Sequence, residues 1–213
     1  MAYTLEALQK YLEKDKKNAE KVFKSLMGDI RKRAPGWIAV EIANVYGVKK
    51  AEVSNGALGT VKVKGTKPTD AVIVFAGRVL TPTHFGMTPK APGANAYTLK
   101  ASIVKGQKKT LGKVKKLSKK QRANIGKNFT RQGTRSSSKS PVMLMHTGNK
   151  QEGGTNYIPF QRKSQNRKDI KAIKTLSLPQ MVSSERTSKS ISSTLDENIS
   201  KRLEHYMGRY MGK

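Results

Sequence analysis

Between Gly106 and Lys139 the chain places twelve lysines and arginines and no acidic residue. A stretch so charged cannot condense into a core. Its like charges repel one another, and its few apolar residues (Leu111, Val114, Leu117, Ile125 and Phe129) are too sparse to bury them. Gly106, Gly112, Gly126, Gly133 and the serine-rich stretch Ser136–Ser140 interrupt any regular period. Residues 106–139 are therefore expected to be a basic extended insertion, not a helix, lying between strands. The charge around it is also uneven. From Lys100 to Lys174 there are 21 Lys/Arg against only Glu152 and Asp169, a local net of +19 within the chain's +29. Such a field is neutralised most readily by a polyanion, DNA or RNA, or by an acidic protein neighbour.

The rest of the 213 residues must supply whatever folds. With 36 % hydrophobic and 27 % charged residues, the chain reads as one modest core carrying extended segments, a single α+β domain over 1–213. Leu5, Leu8, Leu12, Ala19, Val22, Phe23, Leu26 and Ile30 keep helical spacing from Thr4, a plausible cap, to about Arg33, with a break around Asp15–Lys17. Pro35-Gly36 is expected to end that helix, and Trp37–Tyr46 to form a second, short one. Gly47 breaks it, and a further helical turn over Val48–Ser54 stops at Asn55-Gly56. From Leu58 the period falls to two. Val61/Val63, Ala71–Leu80 and Tyr97–Ile103 read as strands of an antiparallel sheet, with Thr81–Asn95 as a long loop. Pro141–His146 and Asn156–Gln161 are two more strands. A closing helix, capped by Ser177 or Ser183 with Pro179 in its first turn, carries Ile191, Leu195, Ile199, Leu203, Tyr206, Met207 and Tyr210 on one face and is expected to pack on the sheet.

Few constellations carry chemistry. Ala43, Gly47 and Val53 have the spacing of a helix-turn-helix with Lys49 and Lys50 opening the second helix, but Asn55-Gly56 leaves that helix too short to reach into a major groove. A structural helical hairpin is the better reading. His84, His146 and His205 lack companions at metal-ligand spacing, Asp70 and Glu152 have no evident acid–base partner, and no phosphate-binding glycine loop is present. The expectation is no enzyme, no cofactor and no metal. With no cysteine there is no disulfide framework, and no apolar run approaches the roughly 20 residues of a membrane span. Met1–Glu6 lacks the pattern of a signal peptide, so a soluble protein made in the cytoplasm is expected. In the insertion, Phe129 is the one aromatic, which argues against base stacking. Lys108, Lys109, Lys115, Lys116, Lys119, Lys120 and Arg122 are the candidates for sequence-independent contact with phosphates or with an acidic partner.

Three segments together resemble the phage minor tail protein Z family, the tail completion proteins of long-tailed phages. The first is the turn Val45-Tyr46-Gly47-Val48-Lys49-Lys50-Ala51-Glu52-Val53 after the long helix. The second combines Gly77-Arg78-Val79-Leu80, His84-Phe85, the strand Tyr97–Lys105 and Phe129-Thr130-Arg131. The third is Ile173-Lys174-Thr175-Leu176-Ser177-Leu178-Pro179-Gln180-Met181, followed by a helix ending Lys201-Arg202-Leu203-Glu204-His205. The resemblance runs from about Leu5 to Met207, and its most specific element is Ser177–Met181. The lysine-dense excursion departs from the family's usual shorter middle. The resemblance implies a virion component of the tail's neck region, made in the host cytoplasm. It would act at the head-proximal end in head–tail joining and DNA delivery, beside other neck proteins such as the tail terminator and head connector. A homo-oligomeric ring, six copies by the tail's symmetry, and no catalytic residues go with it. A sequence-independent DNA-binding protein, gripping phosphates through the Lys-rich insertion, is the alternative.

Overall fold

A computed structural model describes residues 15–92, 96–114, 142–151, 155–163 and 169–210. They form an α+β fold of helices and small antiparallel sheets, gathered into two compact units. The first comprises Met1–Val45, Lys49–Arg78 and Ser177–Lys213; the second comprises Tyr46–Val48 and Val79–Leu176.

The first unit is built on helix α1, Lys16–Val45. Its start among the described residues coincides with the break in the apolar pattern. Asp15 accepts from the backbone N–H of Asn18 at 3.2 Å and from that residue's side-chain amide at 2.7 Å, satisfying a donor the first helical turn leaves open. The expected cap Thr4 lies outside the described residues. The expected stop at Pro35-Gly36 is corrected: α1 runs through both residues to Val45. An interior proline costs about 3 kcal/mol, from one lost hydrogen bond and a ring clash. The opposing term is burial: Ile30, Ala34, Ile38, Ala39 and Ile42 continue the buried stripe across the proline, each at most 2 % exposed. Burying a side chain such as Ile contributes about 1.5–3 kcal/mol, so the two isoleucines beyond the proline together match or exceed its cost. Helix α2, Lys50–Ser54, follows with Val53 buried, and ends at Asn55 and the left-handed Gly56, as the sequence suggested.

Strands β1 (Thr60–Lys64) and β2 (Val72–Ala76) form a two-stranded antiparallel hairpin, with Lys62 opposite Val74 and Val63 opposite Ile73. Helix α3 (Leu178–Val182) opens with a reciprocal cap. The Ser177 hydroxyl accepts from the N–H of Gln180, and the Gln180 side chain accepts from the N–H of Ser177 at 2.9 Å. The expectation of one closing helix capped by Ser177 or Ser183 is corrected: Ser177 and Pro179 open this separate short helix, Ser183 is its C-cap, and the long helix begins only at Ser188. Helix α4, Ser188–Tyr210, was expected to pack on the sheet. It lies instead along α1, where Leu203 and Met207 join Val22, Phe23, Leu26, Met27, Ile30 and Ala34 in one cluster. The hairpin adds Val63 and Ile73 at the cluster's margin. Length decides this: a helix of 23 residues spans roughly 34 Å, a five-residue strand only about 17 Å, and α1 alone offers a stripe long enough to cover α4.

The second unit is sheet-based. Strands β3 (Tyr97–Val104) and β4 (Gln107–Val114) pair antiparallel; β5 (Val142–Gln151), β6 (Thr155–Arg162) and β7 (Ile170–Ala172) form a three-stranded sheet in that order. Pro159 sits in the central strand, yet the Ile173 N–H donates to its carbonyl at 2.9 Å. A residue's N–H and C=O point to the same side of a strand, so the missing N–H faces the side where β7 has already ended, and no β5 bond is lost. Met87, Leu99 and Val142 are buried together, with Leu111, Val114, Leu144 and Ile173 against them. The expected loop after Thr81 is partly built into this unit. Pro82–Phe85 is a 3-10 turn with Phe85 fully buried, and Thr88 exchanges backbone hydrogen bonds with Lys100 at 2.8 and 2.9 Å. Gly47, the candidate turn glycine of a helix-turn-helix, has another role. Its N–H donates to Ile103, and a Cβ there would stand 1.9 Å from the Ser102 carbonyl oxygen. Only glycine admits that approach to β3.

Candidate polyanion-contact surface

The basic stretch read as an extension from Gly106 begins as ordered, paired structure. Gln107–Val114 is strand β4, hydrogen-bonded to β3 through a tight turn at Lys105-Gly106, where Gly106 has φ 79°. Lys108 and Lys109 lie on this strand, both exposed. Lys115, Lys116, Lys119, Lys120 and Arg122, and the remainder of 115–139, lie outside the described residues.

The register of the hairpin sorts its side chains. Leu99 stands opposite Gly112, but Lys100 stands opposite Thr110, so Leu111 is an extra residue, a β-bulge. Strict alternation along β4 would put Leu111 and Lys113 on one face, burying a lysine beside a leucine. The bulge reverses the alternation. Gly112 and Val114 then share the inner face with Tyr97, Leu99 and Ala101, and Leu111 packs on the same core. Thr98, Lys100, Lys108, Thr110 and Lys113 share the outer face, its three lysines exposed. Lys109, opposite the buried Ala101, is exposed on the other face near the turn, and Lys105 is exposed in the turn itself. The hairpin carries five lysines and no carboxylate. Tyr97, the one other titratable group in it, has its phenol pushed up by burial and so adds no negative charge at neutral pH.

Chemically, this surface can bind anions by charge and by hydroxyl donation from Thr98 and Thr110. Lys100, Lys105 and Lys113 were absent from the candidates drawn from sequence. The signal that would have added them is the mismatch between the alternation of β3 and that of the Leu111-Gly112-Lys113 run, which a bulge resolves.

His146 on β5 accepts from the Gly148 N–H at 3.2 Å and meets the edge of Tyr157, while His205 on α4 meets the edge of Tyr206. Among the described residues, no group of three or more His, Cys, Asp or Glu side chains is placed to hold a metal ion. No described helix is long and apolar enough to cross a membrane.

A second polar cluster belongs to the first unit. Asp29 on α1, with 14 % of its side chain exposed, receives the Tyr206 hydroxyl at 2.9 Å, with the Arg33 and Arg202 guanidinium nitrogens at 3.2 and 3.3 Å. Burial pushes its carboxyl up, but the Tyr206 hydrogen bond and the two arginines outweigh that and hold it below the usual range. The same burial and the Asp29 charge push the Tyr206 phenol up. This is a strut between α1 and α4.

Compared with known protein families, curated proteins and solved structures, the chain matches none.

Proposed function

We propose that the chain is a virion structural protein, a tail completion component of the neck at the head-proximal end of a phage tail, needed for head–tail joining and DNA delivery. The observation that carries this reading is the Ser177–Met181 element. It was the most specific part of the resemblance to the minor tail protein Z family, and its Ser177/Gln180 reciprocal cap stands ahead of the long closing helix on α1. The reading assigns no catalytic step and no cofactor. Its partners are the tail terminator and head connector, and copies of the chain itself in a ring, six by the symmetry of a tail. A ring of this kind repeats one heterologous interface until it closes. Deleting the coding sequence from the phage genome that carries it should yield finished tails and DNA-filled heads that remain separate under the electron microscope, with joining restored when the protein is supplied in trans. Joined, infectious particles at normal yield would overturn the assignment.

A second reading is favoured by one feature of the second unit: an ordered hairpin with five exposed lysines and no carboxylate. On this reading the protein contacts nucleic acid without regard to sequence, a role compatible with a place on the DNA path.

A further inference from the structure

We infer that the outer face of the β3–β4 hairpin, Thr98, Lys100, Lys108, Thr110 and Lys113 with Lys105 at its turn, is a docking surface for the phosphate backbone of duplex DNA. The inference rests on the nucleic-acid reading above and gives it a location and a ligand form. Three observations select the occupant.

The first is composition by face. The bulge at Leu111 sets Leu99, Leu111 and Val114 against the core and leaves lysine and threonine on the outer face from Thr98 to Lys100 and along the facing part of β4. A protein partner needs apolar or aromatic surface at the centre of its contact. Here there is none; the large apolar side chains exposed among the described residues, Val72, Val74 and Val79, are outside the hairpin. Phosphate oxygens ask only for cations and hydroxyl donors, which is what this face presents.

The second is the absence of aromatic side chains on that face. Single strands are held largely by stacking on aromatic rings, and Tyr97, the hairpin's one aromatic, is turned inward with Leu99. A duplex, with its bases covered and its phosphates outermost, is the form this surface fits.

The third is the choice of cation. All four on this surface are lysine, a mobile point charge suited to phosphates without the bidentate geometry by which arginine reads guanine. Binding should therefore be indifferent to sequence and set by counterion release, with a log–log salt slope of about −0.9 per phosphate neutralised.

The test uses the full chain, two duplexes of unrelated sequence and fluorescence anisotropy across a range of NaCl concentrations. Lys100→Gln/Lys108→Gln/Lys113→Gln should weaken binding to both duplexes by at least about tenfold at low salt and make the slope shallower by about 2–3. The control Lys62→Gln/Lys64→Gln/Lys67→Gln removes the same charge from exposed sites of the first unit and should change the slope by less than about 1. The triple arginine variant at 100, 108 and 113 should keep the parental slope, and an unchanged thermal midpoint shows that the hairpin persists. Equal losses in the two glutamine variants would mean that net charge alone governs binding, overturning the inference. So would an unchanged slope in the first variant, tighter binding to a single strand, or tighter binding to poly-glutamate, which would point to an acidic protein. None of these outcomes bears on head–tail joining, which particle morphology reads separately.

Discussion

The two units hold almost the same number of cations and use them differently. By sequence the helical unit has 21 Lys/Arg and 12 Asp/Glu, whereas the sheet unit has 22 Lys/Arg and only Glu152 and Asp169. In the first, acids and bases meet: Asp29 ties Arg33, Arg202 and Tyr206 together, and Glu197 pairs with Lys201 one turn along α4. In the second, the lysines of β3–β4 have no carboxylate on their own hairpin. What separates the units is the supply of anions, not the number of cations. Where anions are built in, charge ties helix to helix; on the β3–β4 hairpin, where they are left out, the lysines are exposed and unmatched by any carboxylate of the hairpin.

The comparison can be broken first in the helical unit. Leu26 is fully buried where α1 meets α4. Leu26→Ala should cost about 2–5 kcal/mol in chemical denaturation. Hydrogen exchange should then show loss of protection along α1 and α4. Equal loss across β3–β6 would mean that the two units are one cooperative body, and the contrast drawn above would concern charge alone. A smaller effect is expected in the sheet unit from Gly47→Ala. The new methyl collides with the Ser102 carbonyl, and relieving it should cost about 1–3 kcal/mol, felt first as faster exchange at the Gly47 amide bonded to Ile103.

The smallest effect sharpens the electrostatic side. Asp29→Asn should cost about 1–2 kcal/mol at neutral pH, the range for hydrogen bonds to a charged group that keeps some access to water. Because the folded carboxyl titrates below its unfolded value of about 3.9, its contribution is complete above that pH. It is lost as pH falls through the folded value. The stability of the variant should accordingly fall less steeply below about pH 4 than that of the parent. At the alkaline end the Tyr206 phenol, raised in the fold, favours folding below about pH 10, and that contribution is lost as pH climbs through its folded value. Removing the Asp29 charge should bring the phenol down, as read by ultraviolet titration.

Much of the fold was legible because burial leaves a period in the sequence. The spacing of Val22, Leu26, Ile30 and of Leu203, Met207 marked both long helices, and Asn55-Gly56 marked the end of α2. Two of the departures from the sequence reading, at Pro35 and at the closing helix, share one physical cause: length of apolar contact outweighs the local signal. Pro35 opposes a helix locally, yet the apolar stripe on either side of it outweighs that cost. The closing helix was assigned to a sheet too small to cover it. The candidate surface was legible in charge but not in geometry. Lysine content named Lys108 and Lys109, while the pairing that unites Lys100, Lys108 and Lys113 depends on one bulged residue, Leu111. No count of residue types reveals which strand position is skipped.

The sheet unit's unmatched charge is proposed to meet DNA inside a tail neck. A cryo-electron microscopy reconstruction of assembled particles, at a resolution that traces the β3–β4 hairpin, tests it most directly. The expected result is a ring of this chain at the head-proximal end of the tail, with Lys100, Lys108 and Lys113 turned toward the DNA density along the axis. Finding the chain absent from the neck, or those lysines turned outward and away from DNA, would contradict it.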